Sequence, residues 1–458
     1  MPNQWPRRHF HSHPVQEPRL IHLLSALSSA HGLVDKRPSI YPRRAHGLQQ
    51  RTNLSRGFTF SGMKLTRREL LTSMSAAVSG AALSQLQAAD SKALGPDQLI
   101  TAGTSTTNPP PVCLADFEAL AKQRLSHFAY EYIASGAADE LTLRWNREAF
   151  DQIRLRPKAL ADVEKIDTRI TLFGQEMPHP ILLAPTARHR LAHPEGEVAT
   201  ARGAGDVGAV FVVSSLTTQR LADIAPAAKA PLWFQLYDLR KERREFVRSM
   251  VKEAEQFGCR AFVVTVDAPV DGARNRIQRV ADQLPAGMDT PYYQKADLAA
   301  GVALPIMGSM GSFTWQAIEW LMSLTSLPVL VKGIINPVDA DMAVRKGVAG
   351  IIVSNHGGRC LDTLPASINA LGPVVRKVGG RVPVLVDGGI RRGTDVLKAL
   401  AFGAKAVLIG RPYVYGLALN GAEGVSRVVN ILRDELQMAM ALTGRANLAS
   451  IDRSVLWT

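Results

Sequence analysis

The sequence predicts a (β/α)8 TIM barrel with an N-terminal helical extension and a long active-site loop after strand 4. Beyond residue 113, short β-branched runs alternate with helical patterns, which is typical of βα units around a parallel sheet. Several runs are apolar throughout, as expected for strands that are covered on both faces. Eight runs occur, the number that closes this barrel: 181–185, 210–214, 232–236, 261–266, 329–331, 350–354, 382–386 and 406–409.

Helical segments separate these runs. Apolar spacing predicts helices over 195–207, 241–257, 336–346 and 394–402. The same spacing over 114–135 predicts the helical extension that precedes the first strand. The stretch 270–313 is rich in Gly, Pro, Met and Tyr, and its length inside a compact domain predicts a functional loop.

The first 112 residues are predicted to lie outside the barrel. Residues 1–62 carry nine Lys and Arg against two acids and show no apolar period, so we expect a disordered basic tail, with Met63 as an alternative start. Residues 63–89 join Arg67 and Arg68 to an uncharged small-residue segment, the pattern of a twin-arginine export signal. Residues 90–112 form a linker, and 113–458 form the barrel domain. The signal predicts a periplasmic protein, or a membrane-associated one if it is not cleaved.

Composition argues against several kinds of site. The cysteines Cys113, Cys259 and Cys360 form no C-x-x-C pair, and no H-E-x-x-H motif occurs, so we expect neither a disulfide framework nor a metal site. Half of the net charge of +14 lies in the basic tail. The remaining charge on the barrel does not favour nucleic-acid binding.

Each predicted strand ends in a polar residue or a Gly-rich turn. In a (β/α)8 barrel the carboxyl ends of the strands converge on the face that carries the active site. We therefore expect these residues to form one site: Thr186-Ala187, Ser214-Ser215, Gln235 and Tyr237, Thr265 and Asp267, Lys332, Asn355-His356, Asp387-Gly388-Gly389, and Gly410-Arg411.

The last two strand ends indicate a phosphate site. Asp387, Gly389 and Arg391 follow the seventh strand, and Gly410 and Arg411 follow the eighth. Glycines let backbone amides approach a phosphate closely, and arginines donate forked hydrogen bonds to it. This pattern predicts a phosphorylated ligand and leaves its identity open.

The sixth strand end indicates acid–base chemistry. His356 lies in the Gly-rich turn 354–359, where an imidazole is placed to act as a general base. Asp267 would hold the imidazole, and Arg274 with Arg359 would clamp a carboxylate. Tyr132 and Tyr237 would bond a substrate oxygen, and Lys332 would stabilise an anion formed during the reaction.

These motifs resemble the FMN-dependent 2-hydroxy acid oxidase and dehydrogenase family, which includes glycolate oxidase, L-lactate oxidase and the flavin domain of flavocytochrome b2. The resemblance covers about residues 113–450. It rests on segments that occur in family order: 130–132 with 134–137, 184–187, 192–197, 234–237, 265–269, 330–333, 354–359 and 387–395.

The resemblance implies an FMN cofactor and a role for each matching residue. It places Ala187, Ser214, Gln235, Thr265 and Lys332 against the flavin ring or ribityl chain. It places Asp387, Gly389, Arg391, Gly410 and Arg411 against the ribityl chain and phosphate. Tyr132, Tyr237, Arg274 and Arg359 would bind substrate, and His356 paired with Asp267 would be the base. Enzymes of this family are often homotetramers.

Several positions depart from the family pattern. Cys360 follows Arg359 where relatives usually have Gln, and Arg188 and His189 follow Ala187 where small, apolar or amide residues are usual. Leu216 replaces the bulky Trp of glycolate oxidase, which favours lactate or longer hydroxy acids. Asp271 places an acid near the arginine clamp and is expected to select against dianionic substrates.

The sequence thus predicts oxidation of an L-2-hydroxy acid, lactate-like or longer, to the 2-oxo acid. The electron acceptor is left open between oxygen and a respiratory quinone or cytochrome, which would make the enzyme an L-lactate dehydrogenase. Two other classes remain as alternatives, an FMN-barrel isomerase and a non-catalytic flavin-binding protein. The isomerase needs a diphosphate site in place of the arginine clamp, and the non-catalytic protein predicts the loss of a catalytic group.

Overall fold

Eight parallel strands form a closed barrel in the computed structural model, which describes residues 110–280, 284–293 and 314–457. An antiparallel hairpin, β1 and β2, precedes them. The strands in chain order are β1 Ile170–Leu172, β2 Gln175–Met177, β3 Ile181–Leu183, β4 Phe211–Ser214, β5 Leu232–Leu236, β6 Phe262–Thr265, β7 Val329–Lys332, β8 Gly350–Val353, β9 Val384–Asp387 and β10 Ala406–Ile409. The barrel closes where Val407 of β10 pairs with Ile181 of β3. The predicted fold class is confirmed, and all eight predicted strands are present with ends shifted by at most two residues.

The helices surround the barrel or precede it. In the described residues they are α1 Leu114–Arg124, α2 His127–Ala134, α3 Leu141–Asp151, α4 Gly196–Asp206, α5 Leu221–Ile224, α6 Arg244–Gln256, α7 Asn275–Gln278, α8 Trp315–Met322, α9 Pro337–Arg345, α10 Ser367–Val378, α11 Gly393–Ala401 and α12 Arg411–Leu442. The long α12 packs against α1, α4 and α11, and Asn420 and Gly421 interrupt its helical backbone. Every helix in the described residues is too short or too polar to span a lipid bilayer.

Side chains alternate between two apolar clusters along the barrel strands. Leu182 on β3 and Leu330 on β7 belong to a small cluster that fills the barrel interior. Their neighbours Ile181 and Val331 belong to the large cluster between the strands and the outer helices. Because successive residues of a strand point to opposite faces, this alternation also decides which strand-end residues face the interior.

A hairpin that the sequence did not predict packs against the interior cluster. β1 and β2 are joined by the two-residue turn of Phe173 and Gly174, both with positive φ, as such turns require. The Phe173 ring packs edge-on against Trp233 of β5 at 5.7 Å, and the Trp233 indole donates to Gln175 at 3.0 Å. The hairpin therefore covers the apolar interior of the barrel at the end where the strands begin, opposite their carboxyl ends.

The predicted helical extension is two helices rather than one over 114–135. α1 ends at Arg124, and α2 begins after Ser126, whose hydroxyl accepts from the Ala129 amide at 3.2 Å. A serine at this position satisfies a free amide of the following helix and so begins a new one. Within the predicted loop 270–313, residues 270–280 and 284–293 are described and contain α7. The tail 1–62, the signal segment 63–89 and linker residues 90–109 lie outside the described residues.

One carboxylate joins the extension to the barrel. Asp362, in the segment after β8, accepts from the backbone amides of Asp139 at 3.1 Å, Leu141 at 3.2 Å and Thr142 at 2.8 Å. Asp362 is only 8% exposed, so these amides are satisfied by the protein and not by water. Since the first turn of a helix has unpaired amides, Asp362 stabilises the start of α3 from a distant part of the chain.

We expect Asp362→Ala to lower the free energy of unfolding by about 2–4 kcal/mol, because it leaves several buried amides without an acceptor. Urea unfolding followed by circular dichroism measures the change. The control is Asp434→Ala, for which we expect a change within about 0.5 kcal/mol, since Asp434 is exposed and its ion-pair partner among the described residues is its neighbour Arg433. Equal loss in the two variants would contradict the role of Asp362.

Candidate active site

A row of hydrogen bonds joins three neighbouring strand ends. Ser214 Oγ donates to Gln235 Oε1 at 2.9 Å, and Gln235 Nε2 donates to Thr265 Oγ1 at 3.0 Å. The Leu216 amide donates to Ser214 Oγ at 3.1 Å. Since all three side chains are buried and have partners, the orientation of the Gln235 amide is fixed. Each lies two positions beyond an interior-facing residue of its strand, Val212, Trp233 and Val263 respectively, so the three share a row at the barrel mouth.

A buried lysine pairs with an aspartate at the next strand ends. Lys332 of β7 lies with its Nζ 3.0 Å from Asp387 Oδ2 and donates to Ser354 Oγ at 2.9 Å. Burial alone would lower the pKa of Lys332, but Asp387 and Asp267 raise it above its usual value. Lys332 is therefore a fixed positive charge. Among the described residues, Asp387 Oδ1 is buried without a hydrogen-bond partner, so it can accept from a ligand.

His356 and Asp267 form a hydrogen-bonded pair. His356 Nδ1 lies 2.8 Å from Asp267 Oδ1, and the His356 amide donates to Ser354 Oγ at 3.0 Å. Burial alone would lower the pKa of His356, but interactions with Cys360 and Asp267 raise it to about 9. A Cβ on Gly333, which has φ +110°, would lie 2.6 Å from Asp267, so glycine is needed for this carboxylate to approach.

Arginines converge on Tyr132 of α2. The guanidinium groups of Arg274 and Arg359 each lie 5.7 Å from the centre of the Tyr132 ring. Arg359 also donates to the backbone carbonyls of Tyr132 and Ser135, each at 3.0 Å. Burial, together with the positive charge of Arg274, lowers the pKa of Arg359. Two neighbouring cations of this kind, one buried and one half-buried, are stabilised by an anionic ligand.

Two further arginines lie at the ends of β9 and β10. Arg411 donates to the backbone carbonyls of Ile133, Gly357 and Ser135 at 2.9–3.1 Å, and Arg391 donates to that of Ile390 at 3.0 Å. Burial lowers the pKa of both. Among the described residues, no carboxylate lies within 4 Å of the charged group of either arginine, which leaves both available to an anion.

One open cavity brings the predicted residues together. It has about 1350 Å³ of empty space, including open solvent at its mouth. Of the residues predicted for the site, the cavity is lined by Tyr132, Ala187, Tyr237, Arg274, Lys332, His356, Arg359, Asp387, Gly389, Arg391, Gly410 and Arg411. Of the other four, Asp267 holds His356, and Ser214, Gln235 and Thr265 hold one another in the row described above.

The structure also adds residues that were not predicted for the site. Asn146 of α3 and Asn355 exchange two amide hydrogen bonds of 2.9 Å, and a Cβ on Gly389 would clash with the Asn146 carbonyl. Arg188 lines the cavity, and its guanidinium donates to the Tyr132 hydroxyl at 3.3 Å. An isolated asparagine in a helix carries no sequence signal, whereas the departure of Arg188 from the family pattern did mark that position.

Comparison with known proteins identifies the family. The family model described as FMN-dependent dehydrogenase matches residues 121–458. The chain belongs to this family. It is 44% identical over 351 residues to a 2-hydroxyacid oxidase of Dictyostelium discoideum, covering 76% of this chain and 90% of the relative. It is also 44% identical over 347 residues to a glycolate oxidase of Spinacia oleracea, covering 74% and 94%.

Solved structures agree with this assignment. The crystal structure of mandelate oxidase with (S)-4-hydroxymandelic acid matches with a TM-score of 0.71 and 38% identity, over 76% of this chain and 98% of that one. As a member of this family, the chain is an FMN-dependent oxidoreductase that acts on the CH–OH group of a 2-hydroxy acid. The predicted family, cofactor and reaction class are confirmed.

The predicted periplasmic location is wrong. The relatives above are a 2-hydroxyacid oxidase of Dictyostelium and plant glycolate oxidases, and these comparisons give no support to a twin-arginine signal. The prediction rested on a pair of arginines before a run of small residues, a pattern short enough to arise by chance. The pattern lies outside the described residues.

The cavity fits FMN on the chemistry of its walls. Arg391 and Arg411 are half-buried and have no carboxylate partner among the described residues, so they offer positive charge to a phosphate, and Asp387 Oδ1 offers a free acceptor to a ribityl hydroxyl. Gly389, with φ +82°, keeps this wall free of a side chain. The row from Ser214 to Thr265 offers fixed polar atoms to the edge of a flavin ring.

We expect Arg391→Met to weaken FMN binding by about 10- to 100-fold, because it removes a charge-assisted hydrogen bond to the phosphate. Fluorescence of FMN released on dilution of the holoenzyme measures the dissociation constant. The control is Arg392→Met, since Arg392 is half-exposed and pairs with Glu435 at 3.2 Å. An unchanged dissociation constant in Arg391→Met would contradict the assignment.

Proposed function

We propose that this enzyme oxidises an L-2-hydroxy acid, lactate or a longer homologue, to the 2-oxo acid and passes the electrons to oxygen. The observation that carries the proposal is the His356–Asp267 pair, with 2.8 Å between Nδ1 and Oδ1, whose imidazole lines the same cavity as Arg274 and Arg359. Leu216 lines the cavity and leaves room for a substrate side chain. Oxygen as acceptor is supported by the relatives, which are named as oxidases.

Substrate binding is assigned to the arginine cluster. Arg274 and Arg359 would hold the carboxylate, since a guanidinium matches it with two parallel hydrogen bonds. Tyr132 and Tyr237 would bond the substrate oxygens. The Tyr237 ring stacks on His356 with 6.3 Å between ring centroids. Tyr237, which would bond a substrate oxygen, therefore lies beside His356, the proposed base. Holding both ends of the substrate fixes C2 for reaction.

Proton transfer is assigned to His356. The neutral imidazole removes a proton from the substrate, either from the hydroxyl or from C2, and Asp267 stabilises the imidazolium that results. Asp267 Oδ1 is bonded to Nδ1, so Nε2 is the nitrogen that is left to face the substrate. The conformation of His356, with φ +57°, is held by Ser354.

The cofactor is assigned to the remaining wall. Ala187, Ser214, Gln235, Thr265 and Lys332 would contact its ring and ribityl chain; Asp387, Gly389, Arg391, Gly410 and Arg411 would hold the ribityl chain and phosphate. FMN, when bound, supplies the two-electron acceptor for the oxidation. The positive charge of Lys332 favours a ring that has gained negative charge.

The proposal extends to the domain organisation. We propose that 113–458 is the FMN-binding domain, which is supported by the family match over 121–458. The segments before it are proposed as a basic tail over 1–62 and a linker over 90–112. We further propose a homotetramer in solution, which light scattering on the purified holoenzyme tests directly.

Anaerobic mixing of the holoenzyme with L-lactate tests the function. We expect the flavin absorbance to bleach and to recover promptly when air is admitted. Bleaching with slow recovery would contradict oxygen as acceptor and indicate a dehydrogenase that uses a quinone or cytochrome. Absence of bleaching with lactate, glycolate and longer L-hydroxy acids would contradict the proposed substrate class.

In the same assay we expect His356→Ala to retain FMN and to bleach about 100- to 10,000-fold more slowly, because the base is removed. The control is His127→Ala, at the exposed start of α2, which we expect to behave as the wild type.

The pH dependence of kcat/KM tests the His356–Asp267 pair. The base must be neutral, and the pKa of His356 is about 9, so we expect kcat/KM to rise about tenfold per pH unit and to level off near pH 9. Asp267→Asn removes the carboxylate, so burial lowers the pKa of His356 and the plateau begins at least about one unit lower. The control is Asp151→Asn, an exposed residue of α3. An unchanged inflection in Asp267→Asn would contradict the pairing.

A further inference from the structure

One arginine in the cavity has no role in the function proposed above. Among the residues that the structure describes, five arginines line the cavity: Arg188, Arg274, Arg359, Arg391 and Arg411. Arg391 and Arg411 are assigned to the FMN phosphate, and Arg274 and Arg359 to the substrate carboxylate. Arg188 remains, although it is only 5% exposed. A buried cation is costly unless an anion lies near it, so Arg188 indicates a further anionic ligand group.

The charges around the cavity support this reading. His356 pairs with Asp267, and Lys332 pairs with Asp387, so these two pairs contribute little net charge. Asp271 is the remaining acid on the cavity wall among the described residues. A phosphate carries a charge of about −2 and a carboxylate one negative charge. The FMN phosphate, one substrate carboxylate and Asp271 together offset the charge of four of the five arginines. One positive charge is left uncompensated.

Arg188 is held in place facing the substrate side of the cavity. Its guanidinium donates to the Tyr132 hydroxyl and to the Met288 carbonyl, both at 3.3 Å. Both contacts are long and neutral, and no carboxylate among the described residues lies within ion-pair distance of Arg188. Its backbone has φ +56° and donates to the Leu216 carbonyl at 3.2 Å. The side chain is therefore ordered by its neighbours without having its charge offset.

We propose that the preferred substrate is a 2-hydroxydicarboxylic acid of four or five carbons, whose second carboxylate binds Arg188. This inference rests on the proposed function and narrows its substrate class. Arg274 and Arg359 hold the carboxylate next to the hydroxyl, and Arg188 holds the carboxylate at the far end. Leu216 leaves the space that the longer chain needs. Asp271 alone would select against a dianion, but Arg188 on the same cavity wall carries the opposing charge.

Matched substrates of equal chain length test the proposal. The holoenzyme is assayed with (S)-2-hydroxybutanedioate and (S)-2-hydroxybutanoate, which differ in the terminal group. We expect kcat/KM to favour the dicarboxylate by at least about tenfold, and Arg188→Met to lower this ratio by about 10- to 100-fold. Arg190→Met is the control, since Arg190 is exposed on the same turn and bonds the Pro194 carbonyl, and it should keep the wild-type ratio.

Binding without turnover provides a second measurement. Butanedioate and butanoate lack the hydroxyl group, so their inhibition constants report recognition alone. We expect butanedioate to inhibit at least about tenfold more tightly in the wild type, and this difference to disappear in Arg188→Met. An equal loss of kcat/KM for both substrates in Arg188→Met would overturn the proposal and assign Arg188 to the orientation of Tyr132.

The outcomes separate this inference from the function on which it rests. If lactate and 2-hydroxybutanoate reduce the flavin and the dicarboxylate shows no advantage, the inference is overturned and the proposed function stands. If none of these acids reduces the flavin, the proposed function fails, and a preference for butanedioate seen as a perturbed flavin spectrum would still support an anion site at Arg188.

Discussion

The strict alternation of side chains along the barrel strands is the constraint on which the site depends. Leu330 and Lys332 lie on the same side of β7, as do Leu385 and Asp387 on β9. The first residue of each pair fills the apolar interior, and the second reaches the mouth of the barrel. A shift of one residue in the register of a strand would bury the charged group among the outer helices. The fold and the position of the polar groups are therefore fixed by the same packing.

Burial of charge is the second constraint, and it follows from the first. Groups at the mouth of a packed barrel are removed from water, so each ionised side chain needs a partner of opposite charge. The His356–Asp267 and Lys332–Asp387 pairs meet this need within the protein. The arginines at Tyr132 and at the phosphate end do not, since among the described residues their partners are backbone carbonyls, a hydroxyl and an aromatic ring. Part of the electrostatic stability of this site is left to the cofactor and the substrate.

The sequence predicts features that have a local signal or follow from the barrel, and it misses features that depend on contacts between distant residues or on very short elements. The strands were predicted because their apolar runs are local, and the strand-end residues because the barrel forces those ends to one face. The break at Ser126 was missed because the apolar spacing continues through it. The pairing of Asn146 with Asn355 joins residues 209 positions apart, and no local pattern announces such a contact. The hairpin at Phe173 and Gly174 was missed because its strands are three residues long, too short for a period to show.

Two residues at the site have a backbone that side chains rarely adopt. Arg188 and His356 both have positive φ, which costs a residue with a Cβ about 1–2 kcal/mol. Each follows a buried strand and is held by a hydrogen bond from its own amide, to the Leu216 carbonyl at 3.2 Å and to Ser354 Oγ at 3.0 Å. Glycine would remove the strain and with it the side chain. That arginine and histidine stand at these two positions is therefore best explained by the roles proposed for their side chains in the cavity, a base for His356 and an anion-binding group for Arg188.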